Sequence, residues 1–213
     1  MPVIDPSLAL ACAGMAVFGY LLGSVPFGLV ITRLAGLGDI RSIGSGNIGA
    51  TNVLRTGRRD LAALTLVLDA GKAGLAFAAG SLAFGWGPGL AAGAAAFFGH
   101  CFPVWLGFRG GKGVATFVGL LLAAMWPAGL LFAATWLATA GLFRRSSLAA
   151  LVATALTPVY AGLTGYGWAG ILTTAGLGVL IFYRHAANIS RLLRGEEPKF
   201  GAGKTAQTPA PDA

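Results

Sequence analysis

The sequence predicts an all-α protein: a polytopic integral membrane helical bundle of seven spans, with its N-terminus outside and its C-terminus cytoplasmic. Three observations carry that prediction. Only 10% of the 213 residues are charged, 56% are apolar and the mean hydropathy is +0.76, whereas a soluble domain carries about 25% charged residues. The apolar residues fall in runs of membrane-crossing length, which is roughly 20 residues per helix. Of the 15 Lys and Arg residues, every one except Lys72 lies outside those runs. The formal charge of +8 therefore reads as a cytoplasmic-side bias of a membrane protein rather than as a nucleic-acid surface.

Met1–Ser7 carries Asp5 and no basic residue, so it lacks the n-region of a cleaved signal peptide. The first span runs from Leu8 to about Ile31, with Gly23-Ser24-Val25-Pro26 loosening or kinking its second half. Thr32–Asp60 is a polar segment with five arginines. Leu61–Phe84 is the second span, ended by the turn-forming Gly85-Trp86-Gly87-Pro88, and Gly89–Leu106 is the third.

Val114–Phe143 reads either as one overlong helix or as two meeting at Trp126-Pro127. Charge parity chooses between them. With a turn at Pro127, all the basic groups share one face; without it, Arg144 and Arg145 move to the far side. Proline also disfavours helix continuation on steric grounds. The fourth span is then about 114–125, the fifth 127–143, the sixth 147–163 and the seventh 167–183. Residues 1–195 form a single membrane domain, and 196–213, rich in Gly, Pro, Thr and Ala, are expected to be a disordered cytoplasmic tail. Cys12 and Cys101 sit in apolar runs without metal-ligand spacing and read as inert core thiols.

Two polar stretches interrupt the hydrocarbon. Gly107-Phe-Arg-Gly-Gly-Lys-Gly113 holds four glycines and two cations in seven residues. Gly44-Ser-Gly-Asn-Ile-Gly-Ala-Thr-Asn52 is followed by Arg55. Backbone N–H groups unshielded by Cβ, beside fixed positive charge, suit an oxyanion such as phosphate. The alternative for either loop alone is a flexible glycine turn in a tight bundle. Gly44-x-Gly46-x-x-Gly49 matches the dinucleotide fingerprint only formally, because no βαβ unit fits between two membrane helices. Gly113 stands where a nucleotide P-loop needs Ser or Thr for magnesium.

Three further groups are chemically notable. Arg144-Arg145-Ser146-Ser147 opens the sixth helix, as an anion site or as an N-cap with topogenic arginines. The segment 184–191 reads as a continuation of the seventh helix out of the membrane, on which His185 and Asn188, three apart, share a face. His100, within the third span, reads as a structural hydrogen-bonding group. Asp69 and Lys72 stand three apart in the second span, and an intramembrane charge costs about 2.5–3.5 kcal/mol, so a mutual structural ion pair is expected.

Three of these motifs, taken together, resemble one family. Gly44–Val53, Gly99-His-Cys-Phe-Pro-Val104 with Gly107–Gly113, and Tyr183-Arg-His-Ala-Ala-Asn188 are similar to motifs of the bacterial acyl-phosphate-dependent glycerol-3-phosphate acyltransferases. The resemblance covers about residues 8–195 and implies a seven-span enzyme of the bacterial cytoplasmic (inner) membrane. Such an enzyme takes acyl phosphate and glycerol 3-phosphate, sits among membrane lipid, and yields 1-acylglycerol 3-phosphate and phosphate. By motif, it implies catalytic roles for Lys112, His185, Asn188 and Ser45. Substrate-binding roles fall to Gly46, Asn47, Thr51, Arg55, Gly110, Gly111, Gly113 and Ser147. The acyl phosphate is a mixed anhydride, already activated, so no covalent intermediate and no cofactor is implied. The His-x4-Asp pair of the other glycerol-phosphate acyltransferases is absent: Trp105 lies five residues after His100, and Ser190 five after His185. A transporter for an organic phosphate is the rival class, but its cations belong near the bilayer midplane, where only Lys72 stands.

Overall fold

A computed structural model describes residues 5–199. Among the described residues all regular structure is helical. The first helix, α1 (Pro6–Gly23), starts where the Asp5 side chain accepts the Ser7 amide at 2.9 Å. It breaks at Ser24-Val25-Pro26, as the sequence predicts, and resumes as α2 (Phe27–Leu34). A short helix, α3 (Ala50–Val53), precedes α4 (Arg59–Phe84). Only Gly85 separates α4 from α5 (Trp86–Cys101), so Trp86-Gly87-Pro88 forms the first turn of a helix rather than a loop. Proline is at home there, because a first-turn N–H has no partner to lose.

Next come α6 (Val114–Ala124), α7 (Trp126–Phe143), α8 (Ser146–Leu163) and α9 (Gly167–Arg184). The break between α6 and α7 falls at Met125, beside the predicted Trp126-Pro127 turn. The last helix, α10 (Ala186–Leu193), is not a continuation of α9. The chain bends at His185, whose φ of −100° and ψ of 8° leave the helical region.

Among the described residues five helical segments are long and apolar enough to cross a membrane: Pro6–Leu34, Arg59–Phe84, Trp86–Leu106, Trp126–Phe143 and Ser146–Leu163. Two of the expected crossings, α6 and α9, are helical but are not among them. With 11 residues, α6 reaches about 16 Å at 1.5 Å per residue, little over half of a hydrocarbon core of about 30 Å.

Helices approach closely where small residues face each other, as packing inside a bilayer demands. A Cβ on Gly19 or Gly23 of α1 would run into the Ala92 or Ala96 carbonyl of α5. One on Gly119 of α6 would meet the Ala70 carbonyl of α4. The core runs through Phe97, Phe117 and Phe132, stacked edge to face at 6.3 and 5.8 Å between centroids. A smaller apolar cluster of Leu29, Ile40, Ile48, Val53 and Ala62 supports the 40–55 loop from beneath.

Within the bundle, Lys72 lies 3.0 Å from Asp69 and donates to the Val25 carbonyl at 3.1 Å, so the expected ion pair forms. That carbonyl lies in the break between α1 and α2, outside the helical ladder. Cys101 is buried and Cys12 partly so, and both are free thiols.

Candidate active site

The polar segments converge on one cavity of about 530 Å³. Its polar end draws Ser45, Asn47, Thr51 and Arg55 from the first loop, and Lys112 and Gly113 from the second. Ser147 reaches it from the start of α8, and His185 and Asn188 from the α9–α10 bend. The other end is hydrocarbon: Leu66 and Val67 on α4, Val118 and Leu122 on α6, Phe132 and Leu137 on α7. Leu66, Val67, Leu122 and Leu137 are also exposed on the outside of the bundle. The cavity thus suits an amphiphile with an anionic head and a long apolar tail.

Each loop owes its shape to internal hydrogen bonds. In the first, buried Asn52 donates from Nδ2 to the Ile40 and Ile43 carbonyls at 2.9 and 3.1 Å, and its Oδ1 accepts the Ser45 amide at 3.1 Å. Gly44 turns the chain with φ +57°, and a Cβ there would strike Asn52 Oδ1 and the Arg55 side chain. The Gly46 amide donates to the Ile43 carbonyl at 3.0 Å, and the Gly49 amide to Asn47 Oδ1 at 2.9 Å.

In the second loop, the Gly110 amide donates to the Cys101 carbonyl at 3.1 Å and the Gly111 amide to the His100 carbonyl at 3.0 Å. Their own carbonyls accept the Arg184 guanidinium at 2.7 and 3.0 Å. A Cβ on Gly111 would collide with the His100 ring.

These bonds occupy three of the backbone amides that the sequence reading expects to face an oxyanion. Gly46, Gly110 and Gly111 do not line the cavity, and their N–H groups are spent closing the loops. Gly110 and Gly111 are needed for close approach of protein to protein, and Gly46 for its φ of +67°. The loops present to the cavity the Ser45 and Thr51 hydroxyls, the Arg55 guanidinium and the Lys112 ammonium, with the backbone of Gly49 and Gly113 beside them. Beside Lys112, the first residues of α6 (Val114 and Ala115) also line it. First-turn amides lack intrahelical acceptors and favour an anion.

A hydrogen-bond network, of which only Glu197 and Arg191 are unforeseen from sequence, sits at the same end. Lys112 Nζ donates to Asn188 Oδ1 at 2.6 Å, and Asn188 Nδ2 donates to Glu197 Oε1 at 2.7 Å. Glu197 Oε1 also accepts Ser147 Oγ at 2.6 Å, and Oε2 accepts Arg191 Nε at 2.7 Å. Four residues of the expected tail, Glu196–Lys199, are therefore described, with Glu197 buried in this network; the remainder, 200–213, lies outside the described residues.

Burial sets the charge states. It pushes the Lys112 ammonium down to about 8, assisted by the positive charges of Arg191, Arg184 and Arg55 and opposed by Glu197. Burial likewise lowers His185 to about 4, and the Lys112 charge adds to the effect. His185 Nδ1 lies 2.7 Å from the Ile181 carbonyl, which can only accept. The neutral ring therefore carries its proton on Nδ1 and keeps Nε2 as an acceptor. Burial raises Glu197, but the hydrogen bonds from Ser147, Asn188 and Arg191 outweigh it and hold the carboxyl below its ordinary value.

Asp69 and His100, assigned structural work from sequence, also line the cavity, with His100 Nδ1 3.5 Å from Asp69 Oδ1. Among the described residues no cluster of His, Cys, Asp and Glu is arranged to hold a metal ion.

Comparison with known proteins accords with this geometry. A family model described as glycerol-3-phosphate acyltransferase matches residues 13–195. A glycerol-3-phosphate acyltransferase of Maricaulis maris (strain MCS10) is 64% identical over 205 residues, covering 96% of this chain and 93% of the relative. One from Paramagnetospirillum magneticum is 60% identical over 190 residues, covering 89% and 94%. Among solved structures, PlsY (YgiH), an integral membrane glycerol 3-phosphate acyltransferase in its glycerol 3-phosphate form, matches with a TM-score of 0.84 at 38% identity. That match covers 89% of this chain and 96% of the other. Its lysophosphatidic acid form matches with a TM-score of 0.82 at 37% identity, over 89% and 95% of the two chains.

Proposed function

The chain belongs to the glycerol-3-phosphate acyltransferase family, and from that premise we propose that its acyl donor is an acyl phosphate. The reaction joins the fatty acyl group to the 1-hydroxyl of glycerol 3-phosphate. It yields 1-acylglycerol 3-phosphate (lysophosphatidic acid) and inorganic phosphate, the first step of phospholipid synthesis. The observation that carries this reading is the cavity's two-ended character: cations and hydroxyls at one end, hydrocarbon from α4, α6 and α7 at the other. Two phosphate-bearing substrates, one with a long acyl chain, match both ends.

In this mechanism Lys112 neutralises the acyl-phosphate head and the departing phosphate, with the start of α6 alongside. Arg55, Ser45 and Thr51 hold the phosphate of glycerol 3-phosphate, with Asn47 and Gly113 walling the same space. The glycerol oxygen attacks the acyl carbonyl carbon, the bond from that carbon to the phosphate oxygen breaks, and the hydroxyl proton leaves with a phosphate. Neutral His185, through Nε2, accepts a hydrogen bond from the attacking hydroxyl and aims it, while Asn188 and Ser147 fix the groups around it. A ring at about 4 is a weaker proton acceptor than a phosphate monoester, whose second pKa is about 6, so a substrate phosphate takes the proton. Holding both substrates in register supplies most of the rate, since orientation contributes roughly 7–11 kcal/mol.

The enzyme is placed by this reading in the bacterial cytoplasmic membrane as a single domain of seven spans. Its N-terminus is outside, and the polar end of the cavity and the C-terminus face the cytoplasm. Lysine and arginine substitutions test the site. Lys112→Ala and Arg55→Ala are expected to lose roughly 10–100-fold in kcat/KM, the value of a charge-assisted hydrogen bond, while inserting normally. Arg58→Ala removes an exposed arginine paired with Asp60 at 2.6 Å and should retain wild-type acylation of glycerol 3-phosphate. Equal behaviour of all three would reduce the loops to orientation signals.

A further inference from the structure

Glu197 does not belong to any of the motifs that mark the site, yet it is held there with care. After α10, Gly195 adopts φ +75°. The Glu196 amide then donates back to the Arg191 carbonyl at 2.8 Å, reversing the chain. This helix-ending turn folds the next residue against the start of α8, where Arg145 Nε donates to the Glu197 carbonyl at 3.2 Å. The neighbouring Glu196 merely pairs with exposed Arg194 at 2.8 Å. Glu197, in contrast, is buried and accepts from three side chains.

One of those three donors settles an orientation. A carboxylate accepts and cannot donate, so the Asn188 amide must turn Nδ2 towards Glu197. Its Oδ1 is thereby committed to the other side, where it takes the Lys112 ammonium at 2.6 Å. We propose that Glu197 is a positioning residue: through Asn188 it holds the Lys112 ammonium at the polar end of the cavity. The proposal deepens the reading above and rests on Lys112 being the group that meets phosphate.

Electrostatics give it a distinct signature. Lys112 is faced by Arg55 from the first loop, Arg184 and neutral His185 from the end of α9, Arg191 from α10, and Glu197 from the segment after it. Arg145 stands at the start of α8, and Asp69 and His100 line the same cavity from α4 and α5, with Asp69 paired to Lys72. The three arginines disfavour the charged amine, and Glu197 favours it. Removing the Glu197 charge therefore lowers the pH at which Lys112 loses its proton. If the ammonium binds phosphate, activity falls as pH rises through that point, so the basic limb moves to lower pH.

The test uses the full-length protein in detergent, as wild type, Glu197→Gln, Glu197→Asp and, to assign the signal, Lys112→Arg. Reductive methylation with ¹³C-formaldehyde makes the Lys112 amine visible to NMR across a pH titration, whatever the acyl donor proves to be. Glu197→Gln should lower the Lys112 midpoint by about 0.5–1 unit, and the basic limb of kcat/KM for glycerol 3-phosphate should move by the same amount. Glu197→Asp, with the charge kept but withdrawn, should fall between the two. If the Gln variant does not purify as a folded species, the Asp variant alone decides. An unmoved Lys112 midpoint with reduced activity would make Glu197 scaffolding only. A lower KM for glycerol 3-phosphate with kcat retained would make it a tethered anion that the substrate displaces. Either result overturns the positioning role.

Discussion

At the scale of single residues, His185 shows how burial assigns a role. Its ring is hydrogen-bonded at Nδ1 and lowered from 6.5 to about 4, so it is neutral at physiological pH. In the unfolded chain the same ring protonates near 6.5. Between those two values the unfolded state binds more protons than the folded one, so stability rises with pH across that window and is lost as pH falls from 6.5 towards 4. The full difference is about 3 kcal/mol. Thermal unfolding in detergent should therefore give a lower midpoint at pH 5 than at pH 7, and His185→Gln should flatten that dependence. An unchanged slope in the variant would mean that other groups carry the effect.

Residue identity was legible in the sequence where the chemistry lies in a side chain. Lys112, Arg55, Ser45, Thr51, His185 and Asn188 stand out as polar groups in a hydrocarbon chain, and the structure gathers them. Glu197 was not legible, because Gly195-Glu-Glu-Pro198 after the last apolar helix has the composition of a tail. Its place depends on a turn and on partners 9 and 50 residues away. Nor does composition reveal which backbone amides are already hydrogen-bonded within the loops, as those of Gly46, Gly110 and Gly111 are.

At the scale of elements, punctuation residues carried most of the information. Pro26 and Pro127 mark the two breaks in long apolar runs, and α1 and α6 end within three residues of them. Trp86-Gly87-Pro88 misled, because proline and glycine fit the first turn of a helix as well as a loop. The bend at His185 has no proline or glycine beside it, so the sequence offered an unbroken helix there. The α6–α7 junction is also where the seven-span arrangement is decided, since α6 is only 11 residues long. In a chain with Cys12 and Cys101 replaced by Ala, a cysteine at exposed Trp126 should react with an impermeant maleimide added to intact cells. A cysteine at exposed Arg109 should react only after permeabilisation. Reaction of both from the same side would place the two loops on one face and overturn the arrangement.

At the scale of the whole molecule, hydrocarbon helices bring four distant polar segments to one end of a bundle and leave an apolar flank beside them. The gathering was foreseeable from charge bias; the lateral flank was not, since it depends on how α4, α6 and α7 pack. That shape bears on the donor. In the proposed reaction an acyl phosphate would present its dianion to Lys112 with the carbonyl one bond away and lay its chain along the flank. A coenzyme A thioester would bring no charge to the reacting atom, and its adenine and 3′-phosphate would have to be accommodated besides. The decisive measurement supplies purified protein and glycerol 3-phosphate with palmitoyl phosphate or with palmitoyl coenzyme A at equal concentration, and follows lysophosphatidic acid and inorganic phosphate. Product with an equal amount of phosphate from the acyl phosphate, and none from the thioester, is the expected result; equal rates from the two donors would contradict the account.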